Sequence, residues 1–358
     1  MTIVNRVLCV LDDWQREHRL AGVVYAVVRK FGDDDANLYV VALGWYGFTA
    51  IYPLLLVVVT VFGFIGVSSL GHGVVDTLHQ FPVVGTEFNP GTGGSNLHGS
   101  SLALVVGLVG LVYGAQGVTQ TAERAMAAVW NVPRLAFAGF LPRLLRSVGS
   151  LSIIAFAFFA NAFVDTFATS DGPHWAIRIV ALLLMTLVNI GLYLAAFRTL
   201  TPSVSSARAL CPGAIAAGIA FTTLTTVGSG LIQHQLRNST NTYGAFASVI
   251  GVVAYLLLLA KITLYAAELN SVLARGLWPR ALPTRPPTEA DDQTLRDLAH
   301  AERRRPDERI GVGFDPDASR EAAADVAADV AAAVATGPQP PYELGRKDAH
   351  KQDRRQKR

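Results

Sequence analysis

His72, Asp76 and His79 stand four and three residues apart, so on a short helix all three would face one way and could ligate a single metal ion. Val74, Val75, Leu78 and Phe81 fall on the opposite side. An amphipathic helix at a membrane surface gives the same pattern without metal, and that is the preferred reading. No second motif completes a metal, cofactor or catalytic site, and the two cysteines, Cys9 and Cys211, match neither a disulfide framework nor a zinc spacing.

A second group of polar side chains lies inside long apolar runs. Tyr52, Gln116, Asn161, Asn189, Thr222 to Thr226 and Lys261 each fall near the middle of a different run. Each helical residue advances about 1.5 Å, so these positions come to one depth. Together with Tyr265 they are the candidate path for a polar or amphiphilic solute. The neutral members also have a plainer role, hydrogen-bonding helices together at about 0.6 kcal/mol each. Lys261 is different: an ammonium at that depth costs about 2.5 to 3.5 kcal/mol, so it is expected to face protein or water and not lipid. Glu268 follows on the same helical face, about 10 Å further along, with Tyr265 placed to link the two.

A third group, Glu123, Arg124, Arg198, Arg208 and Glu268, gathers near one end of the runs. Ion pairs among them would clamp helices or form an inner gate, and clamping is the preferred role because interfacial charges cost less than central ones.

The elements that must position these groups follow from composition. The chain has 358 residues, 51% hydrophobic and 16% charged, against about 25% charged in ordinary soluble domains. A bilayer core about 30 Å thick requires about 20 apolar residues in a helix. Six stretches qualify: Leu38 to Val67, Leu102 to Ala122, Val148 to Thr169, Trp175 to Phe197, Leu210 to Ile232 and Phe246 to Ala274. The first starts too far into the chain and is too long for a cleaved signal, and Pro53 would kink it. Alternating β-barrel segments are absent from the pattern. The expected fold is an all-α integral membrane protein with six transmembrane helices. Ala214, Gly218 and Thr222 repeat every fourth position in the fifth run, which would let another helix approach closely.

Basic residues set the orientation. Arg6, Arg16, Arg19, Arg29 and Lys30 precede the first run, whereas 68–101 has no Lys or Arg. Arg124, Arg134, Arg143 and Arg146 follow the second run, and sixteen basic residues lie from Arg275 onward. Both termini are therefore expected to be cytoplasmic, in a multi-pass protein of the bacterial inner membrane.

Residues 1–37 form the expected cytoplasmic N-terminal region. Ile3, Val7, Val10, Leu11 and Trp14 recur at helical spacing, giving an amphipathic helix that either lies at the membrane interface or packs on other loops. Residues 38–278 are the expected six-helix domain. Beyond them, Pro279, Pro283, Pro286 and Pro287 interrupt helical order, and 279–358 is expected to be a largely disordered charged tail. It contains one conditional helix over Glu321 to Ala335. The basic cluster Arg346 to Arg358 would attract anionic lipid headgroups.

Several strings in order resemble the YihY/BrkB-like family of bacterial inner-membrane proteins, once labelled ribonuclease BN. They are Tyr46-Gly47-Phe48 with Tyr52-Pro53-Leu54; Gly117-Val118-Thr119-Gln120 with Trp130-Asn131-Val132-Pro133; Leu210-Cys211-Pro212-Gly213-Ala214; Tyr243-Gly244-Ala245-Phe246-Ala247; and Ala267-Glu268-Leu269-Asn270. They span roughly residues 20 to 280. The resemblance implies a six-helix fold with both ends cytoplasmic and, for some members, export of envelope lipid precursors. Lys261 departs from the smaller or neutral residues that the family pattern implies there.

The leading functional expectation is a transporter or flippase-like exporter of an amphiphilic envelope component. The alternative is a non-catalytic scaffold for envelope biogenesis partners. No enzyme activity is expected: a ribonuclease would need acid-base or metal groups beside a basic groove, and no cytoplasmic Asp/Glu/His cluster or nucleotide-binding motif is present. Expected partners are membrane lipids and a second copy of the chain, with no nucleic acid and no cofactor.

Overall fold

The computed structural model describes residues 12–65, 101–133, 149, 152, 156, 160, 161, 175–201, 206–243, 245–282, 285–305 and 307–336. Among them the regular structure is helical, with no strand. The helices are α1 Arg19–Asp33, α2 Ala36–Ile65, α3 Ser101–Val129, α4 Trp175–Leu200, α5 Ala207–Tyr243, α6 Ala245–Arg275, α7 Glu289–Ala301 and α8 Pro316–Thr336. Pro53 and Pro212 lie inside α2 and α5.

Among the described residues, four segments are long and apolar enough to cross a membrane: Leu104–Val129, Ile179–Leu200, Ala207–Thr226 and Val249–Arg275. In α2 the stretch Ala36–Ile51 is a shorter apolar helix. These match five of the six expected runs in place. The third falls mostly outside the described residues, although 149, 152, 156, 160 and 161 are each helical. His72, Asp76 and His79 also lie outside them.

The chain divides into two compact units. The larger comprises Val27–Gly276 and Asp297–Ile310. Its core joins Phe31, Val40, Met126, Val129, Phe197, Leu210, Ala214, Ala217 and Leu264. Small residues set how closely its helices pack. Along α3, Gly107, Gly110, Gly114 and Gly117 meet Val57, Pro53, Ala50 and Tyr46 of α2; a Cβ on Gly117 would lie 2.3 Å from the Tyr46 ring. On α5, a Cβ at Gly218 would lie 2.7 Å from the backbone nitrogen of Ile190 in α4. The Ala214–Gly218–Thr222 stripe thus does what its spacing predicts.

The smaller unit comprises 1–26, 277–296 and 311–358. Its centre is Asp291, which accepts hydrogen bonds from Arg280 Nε at 2.6 Å and from the backbone amides of Ala281 and Thr288 at 2.9 and 2.8 Å. Thr288 is the N-cap of α7, so Thr288 and Asp291 form a capping box with Asp in the usual Glu place. Gln15 bridges the Asp12 carboxylate and the Arg280 carbonyl, both at 2.8 Å. Arg19 lies over the Trp278 ring at 5.5 Å.

This packing corrects the expectation of a largely disordered tail, because over 277–336 the chain has two helices and a buried Arg280–Asp291 pair. Proline and charge content read as disorder when the partners of the charges are not visible. The weak helix expected over Glu321 to Ala335 is the inner part of α8. The amphipathic helix expected over Ile3 to Leu11 and the basic cluster Arg346 to Arg358 lie outside the described residues; in α1, Leu20, Val24 and Val28 form an exposed apolar stripe at a spacing of four.

Candidate functional site

Helix α3 ends in a Schellman motif. The amide of Asn131 bonds to the carbonyl of Ala128 and that of Val132 to Ala127, each at 2.8 Å, with Asn131 in the left-handed region at φ 48°. Asn is among the few residues other than Gly that adopt this conformation readily, and Pro133 follows where a helix cannot continue. The last carbonyls of a helix still lack intrahelical donors and carry partial negative charge. Here cations and a hydroxyl supply them: Lys30 Nζ donates to Val129 O at 2.8 Å, Ser271 Oγ to the same oxygen at 2.9 Å, and Arg275 to Trp130 O at 3.3 Å.

Lys30 is fully buried at the end of α1. Besides the Val129 carbonyl it pairs with Asp34 and, at 3.2 Å, with Glu268 Oε2 on α6; all three side chains have 0% exposure. An ammonium has three donors; two are used by Asp34 and the Val129 carbonyl, and Glu268 lies at ion-pair distance. Asp34 sits in the turn between α1 and α2, and Asn131 Nδ2 donates to it at 3.4 Å. Arg275 in turn donates to Asn131 Oδ1 at 2.8 Å and pairs with Asp297 at 3.0 Å. The result is a buried lock joining α1, the α1–α2 turn, the α3 end and α6. Burial pushes the Asp34 carboxyl above its usual range, although the Lys30 ammonium pulls the other way.

The lock shares one member, Glu268, with the clamp or inner gate expected of Glu123, Arg124, Arg198, Arg208 and Glu268. Glu268 pairs with Lys30; Arg124 and Arg198 are exposed on their helices and Glu123 is buried on α3, and Arg198 and Glu123 each have interactions of their own. Lys30 was legible only as one of several basic residues before the first run, and Asp34 as the middle of the acidic triplet Asp33-Asp34-Asp35. Their spacing of four, N-terminal to an apolar run, was the available signal for a pair.

The depth-based candidates separate. Asn161 and Asn189 exchange side-chain hydrogen bonds at 3.0 and 3.3 Å, and Asn189 donates to Thr222 Oγ1 at 3.0 Å, so three of them form one polar clasp between helices. Gln116 is half-buried on α3. Tyr52 lies in α2, with its side chain outside the described residues. Lys261, expected to face protein or water, is not covered by protein: it is exposed, on the α6 stripe that also exposes Ala254 and Leu258. The Tyr265 ring stacks on Phe31 at 4.2 Å. Position along a helix fixes depth, but neighbours decide cover: at the level of Glu268 the Lys30 end of α1 closes over α6, and among the described residues none buries Lys261.

Replacing Asn189 with leucine removes all three bonds of the clasp. The expected loss is about 0.6 to 1.7 kcal/mol, read by detergent unfolding, with a double-mutant cycle against Thr222→Val isolating the Asn189–Thr222 share.

A shallow apolar groove of about 480 Å³ lies between Ser152 and Phe156 on one side and Leu187, Val188, Gly191, Leu192 and Ala195 of α4 on the other. A Cβ on Gly191 would meet nothing within 4 Å. Among the described residues, no group of His, Cys, Asp and Glu could hold a metal ion.

The profile of the family described as Virulence factor BrkB matches residues 27–290. This chain belongs to the BrkB family. The BrkB match begins just before Lys30 and runs past Arg280, so it contains every member of the lock except Asp297. With four apolar helices of spanning length, this BrkB protein is a multi-pass membrane protein. No curated protein and no solved structure matches it.

Proposed function

We propose that this BrkB-family protein moves an amphiphilic, lipid-type envelope component across the bacterial inner membrane, through six spans with both termini cytoplasmic. The observation that carries the reading is the lateral groove beside Gly191. An amphiphile that stays partly in the bilayer needs a side entrance, and this groove opens on the flank of α4, where Leu183 and Leu187 are exposed. Asn161 and Asn189 supply polar contacts between the two sides of the groove, Thr222 of α5 extends them, and Arg198 lies seven residues beyond Gly191, about 10 Å along α4. The alternation of basic residues along the chain supports the orientation.

The test is transbilayer movement of a fluorescent phospholipid in vesicles carrying the full-length protein, followed by quenching of the outer leaflet. Movement faster than in protein-free vesicles is expected. Gly191→Leu, which fills the groove at a position with room for a side chain, should slow it severalfold without lowering stability. Equal rates with and without protein would remove the proposal.

A further inference from the structure

Lys30, Asp34 and Glu268 place one positive charge against two carboxyl groups in a site with no exposure to solvent. The surrounding charges do not repair that imbalance. Arg275 reaches the site only through Asn131 and is matched by Asp297. Glu123, buried on α3, has interactions of its own. Arg124, Arg198 and Arg208 are exposed on their helices. Glu268 has a second singular feature: beyond the Lys30 ion pair, neither of its carboxyl oxygens has a hydrogen-bond donor. A buried carboxylate without donors is costly, and two carboxyls sharing one site do not both ionise readily. A single proton resolves both problems. It makes the site neutral, and it supplies a donor where Glu268 lacks one, since both carboxyls lie against the same Lys30 Nζ.

We propose that the Asp34–Glu268 carboxyl pair is a proton-binding site, holding one proton while Lys30 locks the α1–α2 turn onto the ends of α3 and α6. Departure of the proton to water leaves a net negative charge in the buried site and opens the lock. This inference is independent of the transport reading: the pair binds its proton whether or not a lipid moves.

Infrared spectroscopy of the full-length protein in lipid nanodiscs tests it. At pH 7 a protonated carboxyl C=O stretch is expected. It should vanish in Glu268→Gln and in Asp34→Asn, where the one remaining carboxylate is matched by Lys30. Raising the pH of the wild-type protein should remove the band and, in the same range, expose Lys30 to an amine-reactive reagent read by peptide mass. The folded state holds a proton that the unfolded chain releases at neutral pH, so the fold is favoured at low pH and loses that advantage as pH rises. The unfolding constant should gain up to tenfold per pH unit between the unfolded and folded values. A wild-type protein without the band at pH 7, or a band that persists in both variants, overturns the proposal. The wild-type titration decides the matter even if a variant does not fold.

Discussion

Lys30→Met is expected to destabilise the full-length protein by about 3 to 5 kcal/mol, the cost of removing one partner from a buried ion pair and leaving the other without compensation. The change would strip Asp34 and Glu268 of their shared cation and Val129 of one of its two donors. Set against a total stability of about 5 to 15 kcal/mol for a typical fold, that loss is large. Tryptophan fluorescence during unfolding in mixed micelles would measure it. Replacing Glu268 as well, with glutamine, should return part of the loss, because fewer uncompensated charges then remain buried. Lys261→Met is the contrasting substitution: Lys261 is exposed on the spanning helix α6, where an ammonium costs about 2.5 to 3.5 kcal/mol, so its replacement should leave stability unchanged or raise it. Equal effects at the two lysines would mean that Lys30 is not locked as described.

Gly213→Ala should be the most damaging single methyl addition. The added Cβ would lie 2.0 Å from the carbonyl oxygen of Ala266 and 2.5 Å from Asn270 Nδ2, so α5 and α6 must separate. The approach is fixed from the other side too, since the Gly213 amide donates to Asn270 Oδ1 at 2.6 Å. Overpacking costs about 1 to 3 kcal/mol where side chains can yield, and more where backbone blocks the way. A loss of about 3 kcal/mol in the same unfolding assay is expected. Gly191→Ala should be neutral or slightly stabilising, because its Cβ would meet nothing within 4 Å and alanine is the better helix former.

The contrast between these glycines shows what the sequence could and could not tell. Runs of about 20 apolar residues admit few structures other than a spanning helix, so the places of α2 to α6 were legible. Their ends were less so. The second run reads as ending at Ala122 because Glu123 and Arg124 interrupt the apolar count, yet α3 continues to Val129, where Asn131 and Pro133 mark the stop. The ladder Gly107, Gly110, Gly114 and Gly117 was present as a spacing of three and four, but in an apolar run it is easily counted as mere hydrophobic content. The polar clasp was legible as depth, since Asn161, Asn189 and Thr222 do meet. The lock was not, because Lys30 and Glu268 are distant in the chain and only the folded bundle brings them together. Two of its members, Asn131 and Glu268, did stand within strings that carried the family resemblance.

The lock also has a consequence for how the protein is made. Synthesis runs from the N-terminus at roughly 5 to 20 residues per second, so Lys30 and Asp34 emerge about tens of seconds before Glu268, Ser271 and Arg275 exist. During that interval the α3 end has its Schellman turn but lacks the Ser271 and Arg275 donors, and Lys30 has no Glu268 to meet. The lock therefore closes only on a chain whose last spanning helix has been translated and inserted. A prematurely terminated product would keep its earlier helices and still lack this closure, which gives membrane proteases a physical difference by which to tell an unfinished chain from a complete one.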